Sequence, residues 1–132
     1  MIQAEELRLG NYILEKLNHK IAVVQCNFSH FELLKTSAKD FFPVLLKLEH
    51  FEKADFLENK KYALLPDARE FILQLPVIGK TETELYGYSK NNKECFARAT
   101  LNKLPVSNNI YNLHQLQNLY YALTGKEINI RL

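Results

Sequence analysis

The segment that most constrains this chain is Tyr111 to Arg131, which reads as a helix marked at both ends and followed by a strand. At about 100° per residue, Leu113, Leu116, Leu119, Tyr120 and Leu123 fall within an arc of roughly 120°, the width of a stripe packed on one side. Asn112 is the expected N-cap, with Gln115 three residues on to reach back in a capping box, and Gly125 suits the left-handed residue that ends a helix. Beyond it, Ile128, Ile130 and Leu132 are expected on one face of a closing strand and Glu127, Asn129 and Arg131 on the other. A second helical arc gathers His114, Asn118 and Tyr121, three hydrogen-bonding side chains at i, i+4 and i+7.

The rest of the chain is ordinary globular material. Its 132 residues are expected to form a single domain over 1–132, long enough for one core. With 47% apolar and 24% charged residues, no stretch argues for disorder. A net charge of +2, with both signs interspersed, lacks the field of a dedicated nucleic-acid binder. Apolar runs fall short of the roughly 18 to 20 residues of a membrane span, so no membrane association is expected. The opening Met-Ile-Gln-Ala-Glu-Glu-Leu-Arg places acids where a signal peptide carries basic residues, so a cytoplasmic location is expected. Cys26 and Cys95 stand alone, outside any Cys-x-x-Cys pattern, and read as buried reduced thiols.

Hydropathy patterning predicts an α+β fold: a mostly antiparallel sheet of short strands packed against a middle helix and a C-terminal helix. Asn11 to Lys16 and Ile21 to Asn27 read as strands joined by a turn at Leu17-Asn18-His19-Lys20, with Phe31 to Lys35 as a third. This N-terminal meander suits a partly open barrel. Between Ser37 and Lys53, Val44, Leu45, Leu48 and Phe51 recur at helical spacing with Pro43 in the first turn, predicting the middle helix. Lys61 to Leu65 and Arg69 to Leu75 read as a hairpin around Pro66-Asp67, and Pro76 to Lys80 ends it. Tyr86-Gly87-Tyr88 reads as a strand edge, Ser89 to Lys93 as a loop, and Glu94 to Leu101 as a further strand.

Two segments also carry a resemblance. Leu7-Arg8-Leu9-Gly10-Asn11-Tyr12-Ile13 and His114-Gln115-Leu116-Gln117-Asn118-Leu119-Tyr120-Tyr121-Ala122-Leu123-Thr124-Gly125 resemble the marker segments of an uncharacterised family of small bacterial and bacteriophage proteins. A looser match surrounds Phe51-Glu52-Lys53, where His50 stands in place of the usual Gly. The resemblance implies shared architecture and supplies no catalytic residue, cofactor or substrate.

Several chemistries are weak on inspection. Gly79-Lys80-Thr81 ends like a phosphate-binding loop, yet Gln74 stands where that motif needs Gly, and Pro76 interrupts it. His19, His30, His50 and His114 show no metal-ligand spacing, so no metal and no cofactor is expected. Glu5, Glu6, Asp40, Glu49, Asp55 and Asp67 lie in stretches that read as solvated surface, without the apolar setting that separates the pKa values of a catalytic pair. Tyr86, Tyr88, Lys90, Lys93, Phe96, Arg98 and Lys103 form a basic and aromatic run that phosphates and bases would suit, but Glu82, Glu84 and Glu94 interrupt it.

The polar arc has two readings: His114, Asn118 and Tyr121 satisfy backbone groups of a neighbouring element, or they line a recognition groove. The leading expectation is a non-enzymatic binding or accessory module acting through protein contacts. The alternative is a nucleic-acid-associated protein using Lys90, Lys93 and Arg98 in the Tyr86 to Lys103 region. One-sided clustering with Lys60, Lys61, Arg69 and Lys103 would mark it. A third reading is a small hydrolase with a pocket near His114.

Overall fold

A computed structural model describes residues 2–59, 67–77, 79–91 and 93–132. Tyr12–Leu17 (β1) and Lys20–Gln25 (β2) form the expected hairpin. Asn18 and His19, at φ 48° and 66°, supply the two left-handed residues of a type I′ turn. Phe41–Pro43 (β3) pairs antiparallel with the other side of β1, giving the order β2-β1-β3. A second antiparallel sheet runs in sequence order through Leu57–Asn59 (β4), Ala68–Gln74 (β5), Thr83–Lys90 (β6), Glu94–Leu101 (β7) and Leu104–Pro105 (β8). The helices are Phe28–Ser37 (α1), Leu48–Lys53 (α2) and Leu113–Thr124 (α3). The fold is α+β as predicted; among the described residues the strands form two open sheets in place of one, without barrel closure.

Four expectations need correction. Phe31 to Lys35 is helical: Asn27 caps α1, its side chain accepting from Ser29 and His30 N–H, and His30 Nδ1 accepts from Asn27 N–H at 3.0 Å. The apparent break at Ser29-His30 is therefore a helix start. Ser37 to Lys53 is three pieces, a 3₁₀ turn at Ala38–Asp40, then β3, then α2. Pro43 lies at a strand end opposite Ile13, where its missing N–H is tolerated. Tyr86-Gly87-Tyr88 is the middle of β6, hydrogen-bonded on both sides, and the strand continues through Lys90. Residues 128–132 form no strand: Ile128 and Ile130 are buried, Leu132 is exposed, and Arg131 N–H reaches Lys53 O at 3.4 Å. Lys61 to Leu65 lies outside the described residues, while its expected partner is β5, flanked by β4 and β6.

The larger core lies between the inner face of the five-stranded sheet and α2, α3 and the C-terminal residues. Phe51 is fully buried there, stacked on Phe71 with ring centroids 5.4 Å apart. The central strand makes room for it at Gly87, where an added Cβ would stand 2.7 Å from the Phe51 ring. The smaller core joins Ile2, Leu7, Ile13, Leu34 and Phe41 between the three-stranded sheet, α1 and the N-terminal residues. The backbone of 110–113 ties the sheets together. Ile110 exchanges two hydrogen bonds with Ala97 of β7, Tyr111 O accepts from Leu46 N–H, and Leu113 N–H donates to Val44 O.

Candidate functional site

The polar arc of α3 meets the N-terminal segment, so the two stretches that carry the resemblance lie against each other. Arg8 to Asn11 forms a β-turn closed by Asn11 N–H to Arg8 O at 3.1 Å, with Gly10 at φ 88°. That turn delivers Arg8 and Asn11 to the helix. Asn118 Oδ1 accepts from Arg8 Nε at 2.8 Å and Asn11 Nδ2 at 2.9 Å, while its Nδ2 donates to Glu6 O at 2.8 Å. Gln117 grips the backbone, accepting from Tyr12 N–H at 2.8 Å and donating to Gly10 O at 3.2 Å. Arg8 also donates to Gln117 O, pairs with Glu127, and lies 4.2 Å above the Tyr121 ring.

His114 is 1% exposed, and its Nε2 lies 3.3 Å from Glu6 Oε2. Its Nδ1 is enclosed without a partner among the described residues. A second ring proton would therefore be a buried donor with nothing to meet. Burial pushes the imidazole pKa below its ordinary value, with Glu6 opposing in part. His114 and Asn118 thus have intramolecular partners, as the structural reading of the arc requires; Tyr121 keeps an exposed edge. A ring so enclosed presents no face to a substrate.

The apolar arc of α3 is rotated relative to its expected position. Leu113, His114, Leu116 and Gln117 are buried, Leu119 and Tyr120 are half-buried, and Leu123 is exposed. The docked N-terminal turn accounts for this, since it brings polar partners that make burial of His114 and Gln117 tolerable.

The basic and aromatic run lies on the outer face of the five-stranded sheet. Tyr86 is opposite Arg98, Tyr88 opposite Phe96, and Lys90 opposite Glu94. Tyr88 and Phe96 stack at 5.0 Å, and the Arg98 guanidinium lies 4.7 Å over Tyr86. Register puts Glu70, Glu84 and Glu94 on this same face. Lys103 is held by Glu84 at 2.8 Å, whereas Arg69 alternates to the other face of β5, where Glu58 holds it at 2.8 Å. Lys60 and Lys61 lie outside the described residues, and Lys93 belongs to the turn between β6 and β7. Carboxylates interleave with and neutralise this face, a poor surface for a phosphate backbone.

Two histidines perform a task that their sequence positions did not reveal. His30 and His50 each occupy the third position of a helix and accept the cap residue's N–H at Nδ1, from Asn27 at 3.0 Å and Lys47 at 2.9 Å. A capping box ordinarily places Glu or Gln at this third position. The repeated tripeptides His30-Phe31-Glu32 and His50-Phe51-Glu52 are the signal that marks both helix starts. His30 Nε2 lies 3.4 Å from the buried Glu15 carboxylate. His50 instead lines a groove of about 480 Å³ between α2 and the three-stranded sheet, together with Leu14, Val23, Pro43 and Leu45.

That groove adjoins an open strand edge. Among the described residues the outer side of β2 has no strand neighbour, and its central residues Ile21-Ala22-Val23-Val24 carry no charge. Ile21 and Leu45 are each 61% exposed and Val23 48%. Because Leu17 and Lys20 flank a two-residue turn, strand alternation turns the N–H and C=O groups of Ile21, Val23 and Gln25 away from β1. Lys47 lines the groove beside Glu49 and Lys53, which pair with each other, and Lys16 and Lys20 stand on the strands next to it; none of Lys16, Lys20 and Lys47 has a carboxylate partner among the described residues. Exposed apolar edges of this kind are normally blunted by charge or proline.

Among the described residues, no group of three or more His, Cys, Asp or Glu is placed to hold a metal ion, and no helix is long and apolar enough to cross a membrane. Cys26 and Cys95 are free and buried, and burial pushes the Cys26 thiol pKa up. Comparison with protein-family models, with curated proteins and with solved structures finds no match to this chain.

Proposed function

We propose that this protein is a non-enzymatic binding module that takes up an extended segment of a partner protein along β2. The observation that carries this reading is the edge of β2, unpaired among the described residues, beside the 480 Å³ groove with Leu14, Val23, Pro43 and Leu45 in its wall. Strand addition would satisfy the outward N–H and C=O groups of Ile21, Val23 and Gln25, and alternate side chains of the segment would enter the groove. Lys16, Lys20 and Lys47 favour a segment that alternates apolar with acidic residues. A second copy of β2 supplies no acid to meet them, since that strand carries Lys20 and Gln25 as its polar residues.

Val23→Pro isolates the edge, because it removes one outward N–H and leaves the bonds to β1 in place. Ten-residue peptides selected from a random library on the full chain are expected to be extended, alternating and acidic. They should bind the wild type and lose binding to Val23→Pro, whose melting should stay within a few degrees. Peptides that bind both proteins equally would refute the proposal. So would a concentration-dependent dimer dissociated by Val23→Pro, which would show a second copy on the edge.

A further inference from the structure

We propose that the outer face of the five-stranded sheet carries a site for a monocarboxylate, centred on Arg98. This surface is separate from the β2 edge. Arg98 sits at the middle of β7, opposite Tyr86, and lines a cavity of about 380 Å³ with Glu70, Ile72, Tyr86, Thr100 and Lys103. Its guanidinium lies 4.7 Å from the Tyr86 ring centre and 5.7 Å from that of Phe96. A guanidinium stacked on a ring keeps its N–H donors at its edge, free for a planar acceptor. Among the described residues none of those donors meets one: the Arg98 side chain makes no hydrogen bond and no ion pair, and its Nε is enclosed without a partner.

The neighbouring carboxylates do not fill that role. Glu84, 2% exposed, is held by Lys103 Nζ at 2.8 Å and Gln74 Nε2 at 2.6 Å. Glu70 forms no ion pair with Arg98 and lies beside the Tyr86 phenol. Burial first, and then the Glu70 charge, raise the pKa of that phenol far above its ordinary value. Tyr86 therefore stays a neutral hydroxyl through the physiological range. Lys103 answers Glu84, which leaves the Arg98 guanidinium as the donor group of this cavity without an acceptor among the described residues, and the nearby Glu70 disfavours the second charge of a phosphate. A carboxylate matches the guanidinium fork. Ile72 and the exposed Leu57 beside it, opposite one another across β4 and β5, offer an apolar wall to the body of the ligand.

Calorimetric titration of the full chain tests this, with benzoate as a free carboxylate, N-acetylphenylalanine as a peptide C-terminus, and inorganic phosphate as the control. At least one carboxylate probe is expected to bind saturably, and which of the two binds tells the source of the ligand. Arg98→Gln should weaken that binding roughly ten- to hundredfold, the loss expected for a charged hydrogen-bonded pair. Lys90→Gln, on the same face, should leave it unchanged. Arg98→Lys retains the charge without the fork and decides the matter if Arg98→Gln unfolds: weakened binding supports recognition by the guanidinium, and unchanged binding overturns it. No saturable binding of either carboxylate, phosphate binding of equal strength, or binding indifferent to Arg98→Gln would each overturn the proposal.

Discussion

At the scale of single residues, small features set large constraints. Gly87 is in a central strand because Phe51 occupies the space of a side chain, so Gly87→Ala should destabilise the protein by about 1–3 kcal/mol through overpacking. Pairing it with Phe51→Leu should recover part of that loss, and urea titration of both single variants and the double would show the non-additivity. Asn118 is the hub of the polar contact between α3 and the N-terminal turn. Asn118→Ala leaves Arg8 Nε, Asn11 Nδ2 and Glu6 O without their partner and should cost about 1–3 kcal/mol. A loss below about 0.5 kcal/mol, the usual surface range, would return the arc to the recognition reading. His50 and His114 have pKa values below the ordinary one. For His50 the main cause is burial, opposed by Glu49 and reinforced by Lys47 and Lys53; for His114 it is burial, opposed by Glu6. The unfolded chain takes up these protons first. The stability they contribute is therefore complete above the unfolded value of about 6.5 and is lost as pH falls toward the lower folded values. Urea unfolding of wild type at pH 8 and pH 5.5 should show this decline, and His50→Gln should flatten part of it.

At the scale of elements, local signals succeeded where they were complete and unopposed. The hairpin of β1 and β2 and the span of α3 follow from turn residues, a helix-period stripe and a terminal glycine, all of them short-range. The capping box of α3 forms by half: Gln115 Oε1 accepts from Asn112 N–H at 3.3 Å, while Asn112 Oδ1 is enclosed without a partner. For α1 the stronger device is Asn27, whose oxygen accepts two backbone N–H groups. Asn27→Ala should cost about 0.5–2 kcal/mol and reduce far-UV helical dichroism. The observed face of α3 sets a gradient of sensitivity along the helix. Leu116→Ala, at a fully buried position, should cost about 2–5 kcal/mol, whereas Leu123→Ala should stay within about 0.5 kcal/mol. Equal losses at both positions, measured by thermal or urea unfolding, would place the helix face elsewhere.

At the scale of the whole molecule, two cores are joined by the backbone of 110–113 and by the contact between Arg8, Asn11 and α3. Unfolding should follow one transition, with far-UV dichroism and tyrosine fluorescence coinciding, and Arg8→Ala should lower its midpoint without splitting it. Separate transitions would show that the two sheets unfold independently. The amino-acid sequence by itself determined the α+β class, the first hairpin, strand β7, and α3 with its glycine stop, because each rests on interactions a few residues apart. Only the tertiary structure decided that Phe41–Pro43 is a strand, since its pairing partner β1 lies more than twenty residues away. It likewise decided that β6 is central, that the polar side of α3 is buried, and that the edge of β2 stays open. The candidate residues followed the same division. The sequence picked out His114, Asn118 and Arg98 by type and spacing. Their surroundings, which give Asn118 three partners and Arg98 no acceptor, arise from segments that meet only in the folded chain.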